Sequence, residues 1–108
     1  MEKLYRLVGA AGMCVRAYGV SFGVRVNDPR VLEMVNVHLP PGSSRQLAPI
    51  VKRLYSFYVS RSEWRPGVRR FHAVYSDDQM LHRSENESDL YQEFERDVNS
   101  FVAEMSTN

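Results

Sequence analysis

The side chains whose types suit acid–base or metal chemistry are scattered histidines and aspartates: His38, His72, His82, Asp77 and Asp78. A zinc site needs three or four ligands held close together, commonly as cysteine pairs or as two histidines on one helical face. Neither arrangement occurs here, and no motif places a base beside the single cysteine, Cys14. We therefore predict no catalytic residue, no metal and no cofactor. An enzyme built on His72, His82 and Asp77 is kept as a third hypothesis.

Motifs that bind nucleotides or activate nucleophiles are missing from the sequence. No glycine is followed by lysine, so the phosphate-binding loop GxxxxGK[ST] does not occur. The patterns GxGxxG, GxSxG and HExxH do not occur either. These 108 residues therefore contain no P-loop, Rossmann, hydrolase or zincin active site of the familiar kinds.

The composition is that of a folded domain in a reducing compartment. Apolar residues make up 44% of the chain and charged residues 25%, which are ordinary values for globular proteins. A single cysteine cannot form an internal disulfide, and no run of about 18 apolar residues is present to cross a membrane. We expect one cytoplasmic domain without membrane contact.

The net charge of +1 conceals an uneven distribution of charge along the chain. Residues 1–83 hold 13 lysines and arginines against 6 acidic residues, whereas residues 84–108 hold 1 against 7. Either the acidic segment covers a basic surface of the same domain, or the two parts present opposite fields to different partners. The sequence leaves both arrangements open.

The pattern over the first forty positions predicts a strand followed by a helix. Residues 1–16 are predicted to be a short helix or a loose segment, because GAAG interrupts the apolar pattern. From Ala17 to Val26 apolar residues alternate with small or polar ones, which predicts a strand with one buried face. The motif NDP then starts a helix with Asn27 or Asp28 as its cap, and LPPG ends it. The residues of this helix that we expect to face the core are Leu32, Val35 and Leu39.

The rest of the pattern predicts three strands and a long helix. The segments VKRLYSFYVS and RRFHAVYS are typical of an antiparallel pair, and DDQMLHRS is typical of a turn and a further strand. Ser84 and Glu87 have the spacing of a capping box. The helix after them has one apolar stripe, formed by Leu90, Phe94, Val98, Phe101 and Met105.

The predicted order of elements is β-α-β-β-β-α, which indicates an α+β fold. We expect a mainly antiparallel sheet of about four strands with helices packed on one face. The domain is predicted to span residues 17–106, with a loose end at 107–108.

Two kinds of binding surface are compatible with the sequence. If the chain works by protein contact, the expected surfaces are a turn and a loop, with the residues Arg61, Trp64, Arg65, Ser43 and Arg45. The alternative is a single-stranded nucleic-acid module, because basic and aromatic residues alternate near one strand. Its expected contacts are Lys52, Arg53, Tyr55, Tyr58, Arg69 and Arg70.

From about Tyr18 onward the chain contains YGVSFGVRVNDPRVLEMVNVHLPPG, VKRLYSFYV, GVRRFHAVYSDDQMLHRS and LYQEFERDVNSFVAEM, in that order. Together these segments resemble the amino-terminal part of bacterial proteins related to HPr serine kinase. In those proteins a strand, an NDP helix ending in LPPG, a RLYS strand and a hairpin precede a helix that ends near VAE.

The resemblance implies a non-catalytic accessory or regulatory domain that stands beside a kinase domain. In such kinase-like proteins a later Walker A loop binds the ATP phosphates and magnesium for transfer to a protein serine. No catalytic residue of that family has a counterpart in these 108 residues. The partner that the resemblance implies is a P-loop kinase domain or another copy of the chain, and the implied influence is on assembly, substrate access or regulation.

Overall fold

The fold is α+β, as the sequence predicts, with a six-stranded sheet covered by two helices. The computed structural model describes residues 3–4, 11–47, 50–60 and 70–106. Along the chain the elements are β1 (Lys3–Leu4), β2 (Ala11–Ala17), β3 (Val20–Val26), α1 (Arg30–Val37), β4 (Ser44–Gln46), β5 (Ile50–Val51), β6 (Arg53–Tyr58), β7 (His72–Ser76), β8 (Gln79–Ser84) and α2 (Glu87–Ser106).

The strand order across the sheet is β4-β2-β3-β6-β7-β8. All neighbouring pairs are antiparallel except β3 and β6, which are parallel. A parallel pair needs a crossover connection, and helix α1 lies within that connection. The short strands β1 and β5 form a separate antiparallel pair.

The sheet is wider than the predicted four strands, and the domain begins earlier. Residues 11–16, predicted to be helical or loose, belong to strand β2, so the predicted boundary at Ala17 is wrong. β2 has backbone partners on both sides, in β3 and β4, which hold it extended. Tyr18 and Gly19 form the turn between β2 and β3 with positive φ values, so Tyr18 is exposed rather than part of a buried face. Residues 1–2, 5–10 and 107–108 of the predicted end segments lie outside the described residues.

One face of the sheet carries the hydrophobic core, and both helices contribute to it. From α1 the buried residues are Val31 and Val35, while Leu32 and Leu39 are partly buried against the core. From α2 the buried residues are Leu90, Tyr91, Phe94, Val98, Phe101 and Val102. The predicted stripe of α2 is therefore confirmed except at its end, where Met105 is exposed. Within the described residues, no helix is long and apolar enough to cross a membrane.

Asn27 joins the end of the parallel pair to the start of α1. Its side-chain amide donates to the Val59 carbonyl oxygen and accepts from the Val59 amide nitrogen, both at 2.9 Å. The side chain thereby continues the ladder between β3 and β6 after the backbone has turned away. Helix α1 begins at Arg30, so Pro29 occupies the capping position in place of the predicted Asn27 or Asp28, and the Asp28 Oδ1 atom accepts a hydrogen bond from the Arg30 amide nitrogen at 3.0 Å beside it.

We predict that Asn27→Ala destabilises the fold by about 1–3 kcal/mol. The change removes two hydrogen bonds and leaves backbone groups of the buried residue Val59 without their partner. Urea unfolding followed by circular dichroism measures the difference. The matched control is Asn36→Ala on the exposed side of α1, which we expect to change the free energy of unfolding by less than about 0.5 kcal/mol. Equal effects of the two substitutions would contradict the role assigned to Asn27.

Candidate functional site

The candidate site is the sheet face opposite the core, which neither described helix covers. Strand side chains alternate between the two faces, and residues directly opposite each other on neighbouring strands share a face. Cys14 and Ala73 illustrate the division, because both are buried but neither belongs to the core cluster. We call this surface the open face, and its side chains are Cys14, Arg16, Ser21, Arg25, Leu54, Ser56, Tyr58, Ala73, Tyr75, Met80 and Arg83.

The composition of the open face differs from that of an ordinary solvated sheet surface. Its strand positions carry two tyrosines, a methionine and three arginines, and they carry no lysine, aspartate or glutamate. Protein–protein interfaces are enriched in aromatic residues, methionine and arginine, and depleted in lysine and acidic residues. Tyr58 and Met80 are each about half exposed, at 55% and 51%. The open face therefore has the composition of an interface core.

A groove of about 490 Å³ runs over the middle of the open face. Ser56 lies on its floor, and the Arg25 guanidinium donates a hydrogen bond to the Ser56 hydroxyl at 3.2 Å. Tyr58 and Tyr75 also line the groove. The volume falls within the range of about 300–1,000 Å³ that is usual for ligand sites.

The walls of the groove follow from the strand register. Ser56 lies opposite Tyr75, and Tyr58 lies opposite Ala73. These four side chains form a two-by-two pattern. The two tyrosines occupy one diagonal of the pattern, and the small residues Ser56 and Ala73 occupy the other. Diagonal neighbours across an antiparallel pair are about 7–8 Å apart, and the small residues leave room between them.

Asp77 and Asp78 form the turn end of the groove. Asp77 accepts a hydrogen bond from the Leu54 amide nitrogen through its Oδ1 atom at 2.9 Å, and its own backbone N–H donates to the Leu54 carbonyl oxygen. Its φ of 55° is in the left-handed region, which aspartate tolerates in turns. Asp77 thus has a structural role in the β7–β8 turn, whereas the Asp78 side chain is exposed.

The helical side of the domain has the opposite charge. The exposed acidic residues there include Glu33, Glu95 and Glu104, and Arg96 is paired with Glu93 at 3.2 Å. Of the two charge arrangements that the sequence allows, the structure contains elements of both. Opposite faces carry opposite charge, and one ion pair, between Arg53 and Asp97, joins the basic and acidic parts inside the fold.

The predicted nucleic-acid contacts do not form one surface. Tyr55 is fully buried, at 0% exposure, on the helix-covered face, whereas Tyr58 is exposed on the open face. The two residues are three positions apart in one strand, so they must point to opposite sides. The prediction that a nucleic-acid base contacts Tyr55 is therefore wrong, because the side chain is buried. Arg53 also points to the helix side, where it packs over the Phe101 ring at 4.2 Å.

Two further residues of that predicted set, among those that the structure describes, do not restore a common surface. Lys52 is exposed at the break between β5 and β6, where its amide nitrogen donates to the Ser21 carbonyl oxygen at 3.0 Å. Arg70 is partly buried just before β7. Arg69 lies outside the described residues.

Of the five predicted protein-contact residues, the structure describes two, Ser43 and Arg45. Arg61, Trp64 and Arg65 lie outside the described residues. Ser43 is part of a tight turn, since its hydroxyl donates to the Pro40 carbonyl oxygen at 2.6 Å. Arg45 is exposed on β4, which is an edge strand of the sheet.

The histidines are held by local hydrogen bonds, and within the described residues no three of His, Cys, Asp and Glu cluster as metal ligands do. The His72 Nδ1 atom accepts a hydrogen bond from the Ser60 amide nitrogen at 3.0 Å. The His38 Nδ1 atom lies 2.7 Å from Glu95 Oε1, and the ring stacks on Tyr91. Burial raises the pKa of the Cys14 thiol, which favours the protonated form over the nucleophilic thiolate.

The residues that sequence reasoning missed are Arg25, Ser56 and Tyr75. Each follows from strand alternation once the pairing is known, but the pairing of β6 with both β3 and β7 is a tertiary fact. One signal is present in the sequence: the alternation in VKRLYSFYVS places Leu54 and Tyr58 on the strand face opposite Tyr55 and Phe57.

No protein-family model, curated protein or solved structure matches this chain. The resemblance to the amino-terminal part of proteins related to HPr serine kinase therefore stays a prediction.

A part-buried polar contact joins helix α2 to the central strand of the sheet. The Tyr55 hydroxyl donates to Asp97 Oδ2 at 2.6 Å, and the Arg53 guanidinium donates to the same oxygen at 3.2 Å. The Tyr55 ring makes edge contacts with Phe22 and Phe94. Helix α2 is thereby attached to the centre of the sheet by one carboxylate surrounded by aromatic rings.

We predict that Tyr55→Phe reduces the loss of stability at alkaline pH. Burial, and secondarily the hydrogen bond to Asp97, raises the pKa of the Tyr55 phenol well above its ordinary value. Tyrosine in the unfolded chain ionises near pH 10, so above that pH the unfolded state releases a proton that the folded state keeps. The free energy of unfolding therefore falls as the pH rises past about 10, and the variant lacks this contribution.

Urea unfolding at pH values from about 8 to about 10.5 measures this difference in slope. The matched control is Tyr58→Phe on the open face, which should follow the pH dependence of the unmodified chain. If Tyr55→Phe also follows that dependence, Tyr55 ionises normally in the folded state and the assignment of its raised pKa is wrong.

Proposed function

We propose that this chain is a non-catalytic protein-interaction domain that binds its partner through the open face of the sheet. The observation that carries the proposal is the composition of that face, with the exposed Tyr58, the partly buried Tyr75 and three arginines, and without lysine or acidic residues on its strands. Both helices of the described residues lie on one side of the sheet, which leaves the other side as a broad surface that a partner can cover. Chemistry within the chain is not needed for this role.

The resemblance described above suggests the setting in which the domain works. We propose that it acts as an accessory or regulatory domain for a P-loop serine kinase domain, in the cytoplasm of a bacterium. The open face is the surface with which it would contact that kinase domain or another copy of the chain. Sequencing the DNA that follows the Asn108 codon tests this setting, because a GxxxxGK[ST] loop within a few dozen codons supports it.

The alternative of a single-stranded nucleic-acid module is less well supported. Its predicted residues are divided between two faces, and the helical surface of the domain is acidic. The net charge of +1 also contrasts with the strongly basic balance of dedicated nucleic-acid binders. Binding of an oligonucleotide is accordingly treated as an outcome of the tests below.

We predict that ligands selected against this domain bind the open face. Displayed peptides are selected on the immobilised chain, and their affinities are then measured for the variants Tyr58→Thr and Tyr75→Thr. Threonine keeps the preference for a strand conformation while removing the aromatic surface. Each substitution should weaken binding by roughly tenfold, since central aromatic residues carry much of the energy of an interface.

The matched controls lie on the helical surface. Met34→Ala and Gln92→Ala shorten exposed side chains of α1 and α2, and each should change affinity by less than about twofold. Ligands that lose affinity through the helical variants but not through the tyrosine variants would show that the interaction surface is elsewhere. If the domain binds oligouridine and binds none of the displayed peptides, it belongs to the nucleic-acid-binding class.

A further inference from the structure

We propose that the open face binds an extended acidic segment of a partner protein, with one aromatic side chain flanked on both sides by carboxylates. This inference rests on the proposed function and specifies the chemistry of the partner. The aromatic ring enters the slot between Tyr58 and Tyr75, and the carboxylates pair with Arg25 and Arg83.

The slot suits a planar group. Ser56 and Ala73 are the small members of the two-by-two pattern, so the space between the tyrosines on the other diagonal is open. A diagonal separation of about 7–8 Å is the width needed to hold a flat ring between two others. Within the described residues, neither Tyr58 nor Tyr75 stacks on another aromatic ring, so both are available to a ligand.

The two arginines lie on opposite sides of this slot. Arg25 is on β3, in register with Ser56, and Arg83 is on β8, in register with Ala73. Three interstrand spacings separate β3 from β8, about 14 Å across the sheet, and the two arginines are also offset by two residues, about 7 Å along the strands, so their backbones are about 16 Å apart. In an extended segment that crosses the strands, residues four positions apart are separated by about 13 Å and point to the same side. Carboxylates two positions before and two positions after the aromatic residue therefore come within reach of the two arginine side chains, which are long enough to span the remaining distance of about 3 Å.

Both guanidinium groups keep donors for a carboxylate. The Arg83 guanidinium stacks over the Phe71 ring at 4.0 Å, which uses its flat face and leaves the N–H groups along its edge. Arg25 contacts Ser56 through one terminal nitrogen. A stacked or hydrogen-bonded arginine has already lost part of its rotational freedom, so binding a carboxylate costs less conformational entropy.

Charge complementarity favours an acidic partner. Arg16 adds a third positive charge to the open face, and the strand positions of this face contain no acidic residue. Asp77 and Asp78 lie at the turn end of the groove, near Leu54 rather than on the line from Arg25 to Arg83. A segment crossing the strands along that line passes the tyrosines without meeting the turn.

The test uses the whole chain and a fluorescein-labelled peptide, Gly-Glu-Ser-Trp-Ser-Glu-Gly, measured by fluorescence anisotropy. Two control peptides replace either both glutamates by glutamine or the tryptophan by alanine. We expect each control peptide to bind at least roughly fivefold more weakly than the parent peptide, because each lacks one half of the proposed recognition.

The protein variants locate the binding site. Arg25→Gln and Arg83→Gln should each weaken the parent peptide by roughly fivefold to tenfold. Arg96→Gln is the control, because it removes the same charge from the exposed side of α2, away from the open face, and it should weaken binding by less than about twofold. Circular dichroism of each variant verifies that the fold is intact.

The outcomes separate this inference from the proposed function. Equal weakening by all three arginine variants, equal affinity for the three peptides, or no detectable binding of the parent peptide would each overturn the inference. Tighter binding of oligouridine than of the parent peptide would overturn it in favour of nucleic acid. If selected ligands still depend on Tyr58 and Tyr75 but lack the acidic and aromatic pattern, the proposed function stands and only this inference falls.

Discussion

The contact of the Asp97 carboxylate with Tyr55 and Arg53 joins helix α2 to the centre of the sheet, on the face that carries the hydrophobic core. A carboxylate brought to the surface of a hydrophobic core is costly unless it is paired, and here a buried phenol and a guanidinium both donate to one oxygen. Since Asp97 lies in the middle of α2, this contact holds the helix against the central strand β6. The aromatic contacts of Tyr55 with Phe22 and Phe94 surround the pair with apolar side chains.

Within the part of the chain that the structure describes, the helices cover one face of the sheet and leave the other uncovered, and the charges of the chain are divided accordingly. The acidic carboxy-terminal segment supplies α2, whose exposed residues give the helical surface its negative charge. The arginines of β2, β3 and β8 are directed to the open face. The uneven distribution of charge along the sequence thereby gives the domain an acidic helical surface and a positively charged open face. The open face also carries the tyrosines and the groove. This positively charged face is the surface on which the proposed binding role rests.

Particular elements show what the sequence could predict. The buried sides of β3 and β6 and the stripe of α2 follow from periodicity, because burial imposes a period of two on strands and near 3.6 on helices. Strand β4 consists of Ser44–Gln46 and has no apolar signal, since backbone pairing with β2 alone places it in the sheet. The α2 cap is Asn86, whose side chain accepts from the Ser88 amide nitrogen, rather than the predicted box of Ser84 and Glu87. The groove depends on strand register, which no local pattern contains.

The most direct test of a binding role for the open face is photocrosslinking in living cells. A benzophenone amino acid is placed at position 58 on the open face and, in a separate variant, at position 92 on the exposed side of α2. The account predicts a discrete protein adduct from position 58 that is lost when Tyr75 is also changed to threonine, and no such adduct from position 92. A protein adduct from position 92 alone would contradict it, because the partner would then contact the helical surface.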